Sequence, residues 1–205
     1  MSTPAGYFTA MYEGAEDPWG LRSRWYEERK YALTLASLPR PHFRRAFEPG
    51  CSVGELTRRL AGRCERLLAT DRVPEAVERA REATRGLDHV EVARLTVPEE
   101  WPGGTFDLVV LSELLYYFDA PALDRLLRRT VDSLAPGGTL VTVHWNHPVP
   151  EHRLTGAELA DRLGGEEGLA LRLDHREEDF VLQTFTRRTP GEPPAPSPAA
   201  YEGLV

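Results

Sequence analysis

The sequence predicts one α/β domain in which helices cover both faces of a mainly parallel sheet. Short apolar runs alternate with segments whose apolar residues have helical spacing along most of the chain. Residues 106–111 are almost continuously apolar, which is typical of a central strand in a parallel sheet. The dipeptide Pro49-Gly50 separates the first predicted strand from a helix. Such alternation implies right-handed crossovers and therefore a parallel arrangement of the strands.

The first half of the chain predicts one leading helix followed by two strand–helix units. Residues 22–38 carry apolar and aromatic side chains at nearly helical spacing, ahead of the sheet. The first strand is predicted over 44–48, and its helix begins after Gly54. The second strand is predicted over 67–70, and its helix begins near Pro74, because proline suits the first turn of a helix.

The middle of the chain continues the same pattern. Strands are predicted over 90–95 and 106–111. A helix begins after Asp119, a good N-cap residue, and runs to Leu134. The turn Pro136-Gly137-Gly138 is expected to end this region before a strand over 139–144.

The pattern changes after Trp145. A short helix is predicted over 155–163, and two late strands over 169–173 and 180–186 form a hairpin, because only a short polar turn joins them. Residues beyond 188 are rich in proline and poor in large apolar side chains, so a flexible tail is expected there. The predicted organisation is an N-terminal helical cap segment over 1–40, one domain over 41–188 and the tail over 189–205.

Composition excludes several classes of protein. The chain has 205 residues, of which 41% are hydrophobic and 28% charged, as in ordinary globular domains. The net charge of −7 argues against nucleic acid as a partner, since that affinity depends on Lys and Arg. No run is long enough to span a membrane, and residues 1–15 have neither the basic start nor the apolar core of a signal peptide, so none is expected. With only Cys51 and Cys64, a disulfide scaffold is not expected, and we predict a cytoplasmic protein.

A glycine-containing turn after the first strand is the first candidate binding motif. The segment from Glu48 to Gly54 has the order ExGxxxG, whereas a dinucleotide fingerprint reads GxGxxG. An acid at Glu48 suits a ligand with a cationic amino acid portion. Asp71 closes the second strand 17 residues after Gly54, close to the offset of about 20 residues at which an acid binds ribose hydroxyls. The alternatives are that the glycines serve only the turn and that Asp71 caps the following helix.

The second candidate site follows the fourth and fifth strands. Ser112 and Glu113 lie just past the fourth strand, where the sheet order is expected to reverse. Glu113 would hold or deprotonate an attacking amine or hydroxyl, unless it is only an acid in the first turn of a helix. Tyr116 and Tyr117 either line the site or belong to the core. His144 is the second candidate base or orienting group.

Two other chemistries are not expected. His144, His147 and His152 have no spacing that matches a standard zinc site, so no metal is predicted. Cys51 occupies a position in the glycine turn without an identifiable base, which argues against a nucleophile.

Several motifs together resemble class I S-adenosylmethionine-dependent methyltransferases, in particular the group typified by nodulation protein S. Asp17-Pro18-Trp19, Trp25-Tyr26-Glu27 and Lys30-Tyr31 are followed by EPGCSVG, by FDLVVLSELLYY and by LAPGGTLVTVHW, in the order of that family. The likeness covers residues 17 to 187. The glycine motif is shared by many methyltransferases, whereas its combination with SELLYY and HW is more specific.

The resemblance implies a Rossmann-like seven-stranded sheet with the order 3-2-1-4-5-7-6, its last strand antiparallel, and S-adenosylmethionine as the cofactor. The cofactor residues it implies share positions at the ends of strands: Gly50, Cys51, Ser52 and Gly54 at the methionine portion, Asp71 at the ribose, Arg72, Thr96 and Val97 at the adenine, and Ser112 near the sulfonium. The acid that the family commonly has before the adenine is replaced here by Arg94-Leu95-Thr96.

The resemblance also implies an acceptor class, because the namesake methylates an amine on a chitooligosaccharide. An amine of an amino sugar or of a secondary-metabolite intermediate is therefore the expected acceptor, with Glu113, His144 and Tyr116 as the catalytic candidates. The alternatives are O-methylation of a small hydroxylated metabolite, a methyltransferase-like binding module without activity, and a nicotinamide-dependent oxidoreductase, against which the ExGxxxG order counts. We expect a monomer or a homodimer.

Overall fold

The computed structural model describes residues 2–189, 191 and 195–205. Within 2–189, seven strands form one sheet with the order β3-β2-β1-β4-β5-β7-β6. The strands are β1 Ala46–Pro49, β2 Leu67–Asp71, β3 Val90–Arg94, β4 Phe106–Ser112, β5 Leu134–Trp145, β6 Leu169–Arg176 and β7 Phe180–Arg187. The strand order that the resemblance implied is confirmed.

Helices connect the strands and precede the sheet. In the described residues they are α1 Ala5–Gly14, α2 Trp25–Ala36, α3 Glu55–Ala61, α4 Pro74–Ala83, α5 Ala120–Ser133, α6 Gly156–Gly164 and α7 Pro198–Tyr201, with a 3-10 turn over Leu115–Tyr117. Helices α2 to α6 were predicted, including the N-cap of α5, where the Asp119 side chain accepts a hydrogen bond from the Ala122 N–H at 3.1 Å. Helix α1 was not predicted. None of these helices has the length and apolar composition needed to cross a membrane.

Strands β1 to β5 are parallel, and β7 runs antiparallel between β5 and β6. Residue Ala46 of β1 pairs with Leu67 of β2 on one side and with Leu108 of β4 on the other. Strands β2 and β3 therefore lie on one side of β1 and the later strands on the other, so the strand order reverses between β1 and β4. The carboxyl ends of β1, β2, β4 and β5 consequently meet at one edge, where open α/β sheets bind their ligands.

Strand β4 lies between two apolar layers. Phe106, Val109 and Leu111 belong to the cluster on one face, and Leu108 and Val110 belong to the cluster on the other. This burial on both faces explains why the strand is almost continuously apolar. It fixes the position of the residues that follow Ser112.

One predicted turn is instead part of a strand. The segment Pro136-Gly137-Gly138 lies inside β5, where the register shifts: Phe106 pairs with Leu134, but Leu108 pairs with Thr139. Gly137 has a φ of +66°, which glycine adopts without strain. The irregular pairing lets the strand begin directly after α5, so the prediction that the strand starts at 139 was wrong.

The tail predicted over 189–205 falls partly outside the described residues, at Pro190 and at 192–194. The described part contains α7. The division into a helical cap segment, a domain and a tail stays a prediction.

Candidate active site

A cavity of about 460 Å³ lies at the edge where β1, β2, β4 and β5 end. Its walls come from the glycine turn after β1, from the residues after β2 and β4, and from side chains of α1 and α2. This size is within the range of about 300–1,000 Å³ that small-molecule sites occupy. The cavity brings together most of the side chains that the sequence pointed to.

The turn from Gly50 to Gly54 requires glycine at both ends. Gly50 has a φ of +79°, and a Cβ added there would lie 3.1 Å from Leu114 Cδ1. Gly54 has a φ of +78°, and its added Cβ would lie 2.7 Å from the Cα of Ala80 in α4. Gly50 lines the cavity together with Cys51 and Ser52, whereas Gly54 does not. The second glycine therefore allows close packing of α3 against α4, and its contact with the cofactor stays a prediction.

Asp71 ties the glycine turn to the end of β2. One carboxylate oxygen accepts a hydrogen bond from the Ser52 N–H at 3.0 Å, and the other accepts one from the Val73 N–H at 3.0 Å. An ionised carboxylate has about four acceptor positions, and the Arg72 backbone also donates to this one, so about one position remains for a ligand in the cavity that Asp71 lines. Burial raises the pKa of Asp71, although these hydrogen bonds oppose the shift. The Asp71 side chain therefore both orders the start of α4 and faces the cavity.

Glu48 places a second carboxyl group in the wall. Its Oε2 accepts a hydrogen bond from the Thr57 hydroxyl at 2.6 Å, and the side chain is buried. Burial raises the pKa of Glu48 to about 7, despite the hydrogen bond from Thr57. At neutral pH the group is close to half ionised, so a cation bound beside it would favour release of its proton.

Two of the three residues predicted to contact the adenine line the cavity, and the third does not. Arg72 and Val97 line the cavity, as does Leu95, which was not predicted. Thr96 does not line it, and its N–H donates to Glu100 Oε2 at 2.7 Å. Cys51 lines the cavity, but burial raises the pKa of its thiol, so the sulfur stays protonated at neutral pH.

Glu113 is the centre of a hydrogen-bond network at the other end of the cavity. It follows Ser112, which also lines the cavity, and its backbone has a φ of +53°, a conformation that costs a non-glycine residue about 1–3 kcal/mol. Oε1 accepts from the Lys30 ammonium at 2.7 Å. Oε2 accepts from the Trp145 N–H at 3.0 Å and from the hydroxyl of Tyr116. The reading of Glu113 as a solvated acid in the first turn of a helix is therefore wrong.

Lys30 of α2 joins two carboxylates. Its side chain is only 2% exposed, its Nζ lies 3.0 Å from Glu27 and 2.7 Å from Glu113, and it sits 5.0 Å from the centre of the Tyr26 ring. Burial alone would lower the pKa of Lys30, but the two carboxylates together raise it. Burial would likewise raise the pKa of Glu113, but Lys30 and the other donors lower it. The network therefore holds Glu113 as a carboxylate.

His144 does not line the cavity, so the structure does not support it as a base there. Its ring is buried, and Nε2 accepts a hydrogen bond from the Leu115 N–H at 3.2 Å. Burial lowers the pKa of His144 to about 4, so the ring is neutral and anchors the 3-10 turn that carries Tyr116. Tyr116 lines the cavity and also packs in the core, so both alternatives given for it, a site residue and a core residue, apply.

Several lining residues were missed by sequence reasoning. They share positions on α1, on α2 or on the loop after β5, and include Phe8, Tyr12, Glu27, Lys30 and His152. The hydroxyl of Tyr12 lies 2.5 Å from the Ser52 hydroxyl, so α1 contacts the glycine turn directly. In the part of the chain that the structure describes, no three His, Cys, Asp or Glu side chains are grouped as a metal site would require.

Comparison with known sequences finds the nodulation protein S family, both by family model and by individual relatives. The family model for nodulation protein S (NodS) matches residues 12–158. A nodulation protein S of Rhizobium tropici is 33% identical over 186 residues, which cover 83% of this chain and 76% of that protein. One from Sinorhizobium fredii is 31% identical over 185 residues, with 85% of both chains covered.

Comparison with solved structures supports the fold and the cofactor. A protein of Pseudomonas syringae whose structure was assigned to the methyltransferases is 41% identical, with a TM-score of 0.72, covering 80% of this chain and 100% of that one. The N-methyltransferase NodS of Bradyrhizobium japonicum, in complex with S-adenosyl-L-homocysteine, is 27% identical, with a TM-score of 0.79 and coverage of 88% and 97%.

The strand order, the glycine turn and the cavity at the sheet edge define a class I S-adenosylmethionine-dependent methyltransferase. Within that class, the chain belongs to the nodulation protein S family. The resemblance stated from the sequence motifs is confirmed.

Proposed function

We propose that this enzyme transfers a methyl group from S-adenosylmethionine to an amine of a small molecule, either an amino sugar or a secondary-metabolite intermediate. The observation that carries the proposal is the ionised carboxylate of Glu113, held by Lys30 in the same cavity as the glycine turn. A carboxylate at this position would accept a hydrogen bond from an amine and balance the positive charge that methylation leaves on nitrogen.

The residues around the glycine turn fit the cofactor. Gly50, Cys51 and Ser52 would flank its amino acid portion, with Glu48 as the acid for its ammonium group. The acceptor position of Asp71 that its backbone donors leave open would bind a ribose hydroxyl, and Ser112 would lie near the sulfur. Arg72 and Val97, together with Leu95, would form the walls for the adenine. When bound, the cofactor supplies a methyl group that is activated by the sulfonium charge.

The charge of the cavity favours an amine over a hydroxyl. Glu55 in the wall pairs with Arg58 and Arg59. The other acidic side chains of the wall still outnumber its basic ones, which favours cationic ligands: Glu27, Glu48, Asp71 and Glu113 against Arg24, Lys30 and Arg72. The rings of Tyr116, Tyr117 and Trp145 add π-faces, which attract cations when desolvated. Methylation of an amine leaves a cation in this environment, whereas methylation of a hydroxyl leaves a neutral ether.

The transfer needs the nitrogen lone pair in line with the methyl group. Glu113 would orient the amine through its N–H, and Tyr116 and Lys30 would fix the direction of the carboxylate. The helices α1 and α2 cover the glycine turn and the Glu113 network, so they would keep water from the reacting groups.

A panel of acceptors assayed by mass spectrometry tests the proposal. Glucosamine and de-N-acetylated chito-oligosaccharides are expected to gain one methyl group, and N-acetylglucosamine, which lacks the basic amine, is expected to gain none. Absence of product from every amine would favour a binding module without activity.

The role of Glu113 is tested by Glu113→Gln, which keeps the size of the side chain but removes its charge. Turnover is expected to fall by about 100-fold, a typical loss for one preorganised electrostatic contact, while S-adenosylhomocysteine binds as before. Glu75→Gln, at an exposed acid in the first turn of α4, is the control. Turnover equal to that of the control would remove Glu113 from the reaction.

A further inference from the structure

Methylation of an amine requires a proton acceptor as well as the Glu113 carboxylate. An alkylamine is largely protonated near neutral pH, and a protonated nitrogen has no lone pair to offer. One proton must therefore leave the acceptor before the new bond can form. This requirement rests on the proposed function, and it limits which side chains of the cavity complete the reaction.

Glu113 is poorly suited to take that proton. Three donors already occupy its oxygens, and Lys30 at 2.7 Å is the main opposing influence that lowers its pKa against burial. His144 lies outside the cavity, and its Nε2 is occupied by the Leu115 N–H at 3.2 Å. Neither group offers a free basic atom to an acceptor.

His152, on the loop between β5 and α6, has the required geometry. Its ring lines the cavity and stacks on Tyr116, with ring centres 3.7 Å apart and an angle of 15° between the planes. It also meets the edge of Tyr117 at 5.0 Å. The loop is fixed to the 3-10 turn by a hydrogen bond from the Arg153 N–H to the Tyr116 carbonyl at 2.7 Å. The ring is therefore held beside the hydroxyl that contacts Glu113.

The ring nitrogens of His152 are available. Nδ1 is buried and has no hydrogen-bond partner within the described residues, and the structure gives Nε2 no partner there either. Because Nδ1 is buried, Nε2 is the nitrogen that can meet a ligand. A neutral ring with its hydrogen on Nδ1 would present the Nε2 lone pair to the cavity.

We propose that His152 is the proton acceptor of the reaction and that Glu113 holds the amine while the proton leaves. The N–H bond of the bound ammonium breaks, its electron pair stays on nitrogen, and the proton forms a bond to Nε2. The nitrogen lone pair then forms the N–C bond as the C–S bond breaks, and that electron pair stays on sulfur. The positive charge of the sulfonium ends on the methylated nitrogen.

The electrostatic surroundings of His152 fit this role. Burial lowers its pKa, while Glu113 and Glu151 oppose that shift. The ring is therefore neutral at pH 7, and the nearby carboxylate of Glu113 stabilises the imidazolium once the proton has moved. The other titratable groups that face it are Tyr116 and Tyr117 on the 3-10 turn and His144 at the end of β5.

The kinetic test compares His152→Gln with His147→Gln. His147 lies on the same loop but outside the cavity, where it pairs with Asp179 at 2.7 Å. At pH 7, His152→Gln is expected to lower turnover of an amine acceptor about 100-fold, and raising the pH should restore much of the loss, because the acceptor then arrives unprotonated. The control should keep the wild-type pH profile. A wild-type profile in His152→Gln would overturn the proposal.

A second measurement needs no turnover. The imidazole signals of His152 are followed by nitrogen NMR in protein loaded with S-adenosylhomocysteine, assigned by their absence in His152→Gln. Glucosamine should move them toward the protonated form at neutral pH, and N-acetylglucosamine should not. An unresponsive ring overturns the role of His152 even where amines are methylated, in which case the proposed function stands without it. An unresponsive ring and no methylated amine would contradict both.

Discussion

Replacing Lys30 by Met is the sharpest perturbation of the network around Glu113. The ammonium is 2% exposed and lies 2.7 Å from Glu113 and 3.0 Å from Glu27. Met has a similar length and no charge, so the variant keeps most of the packing and removes the cation. Two carboxylates, of which Glu27 is 9% and Glu113 is 25% exposed, would then be left without their shared partner.

The expected loss of stability follows from this burial. Removing one partner of a buried ion pair costs about 3–5 kcal/mol, because the remaining charge is uncompensated. The loss should depend on pH. In the wild type the pKa of Glu113 is lowered, so its contribution is present above about pH 4.5 and is lost as the pH falls through the folded-state pKa. Without Lys30 both carboxyls can take up protons in acid, so the deficit should shrink at pH 5 and reach its full size at pH 8.

Urea denaturation at pH 5 and pH 8 measures both effects. Arg85→Met is the matched control, since Arg85 pairs with Glu82 at the same i,i+3 spacing while both side chains are exposed. The control variant should lose no more than about 1 kcal/mol of its free energy of unfolding at either pH. A deficit in Lys30→Met no larger than that of the control, or equal at the two pH values, would refute the reasoning.

Two further predictions concern the cofactor end of the cavity. The pKa of Glu48 is raised to about 7, so the folded state binds a proton more tightly than the unfolded chain and stability falls as the pH rises from 4.5 to 7. Glu48→Gln should remove this fall. In urea denaturation, the free energy of unfolding of the variant relative to that of the wild type should therefore rise by about 3 kcal/mol from pH 5 to pH 8. An unchanged pH dependence would argue against the raised pKa of Glu48. Asp71→Ala should weaken S-adenosylhomocysteine binding by about 1–3 kcal/mol in calorimetry, because charged hydrogen bonds are lost. Full affinity in that variant would remove Asp71 from the site.

The strands and their connecting helices could be predicted because the signals are local. The buried run of β4 and the glycine turn between Gly50 and Gly54 each lie in one short stretch of sequence. The irregular start of β5 at Leu134 could not, because it depends on pairing with Phe106, far away in the chain. Helix α1 has only a weak apolar pattern of its own, and its aromatic residues are explained by contacts such as that of Phe8 with Tyr117.

The site was only partly predictable for a similar reason. Glu113 could be singled out from its place after β4, but the buried partner that keeps it ionised, Lys30, lies 83 residues earlier. At the end of β5, adjacent side chains point to opposite sides of the strand. The sequence could not tell which neighbour faces the cavity, and the structure places Trp145 there and His144 beneath the 3-10 turn.

The position of the transferred methyl group tests the central claim most directly. The enzyme is incubated with glucosamine and S-adenosylmethionine labelled with carbon-13 in the methyl group, and the product is examined by carbon NMR. An N-methyl signal is expected, and it should be lost in Glu113→Gln. A label found on oxygen, or an N-methyl signal that persists at full rate without the Glu113 carboxylate, would contradict the account.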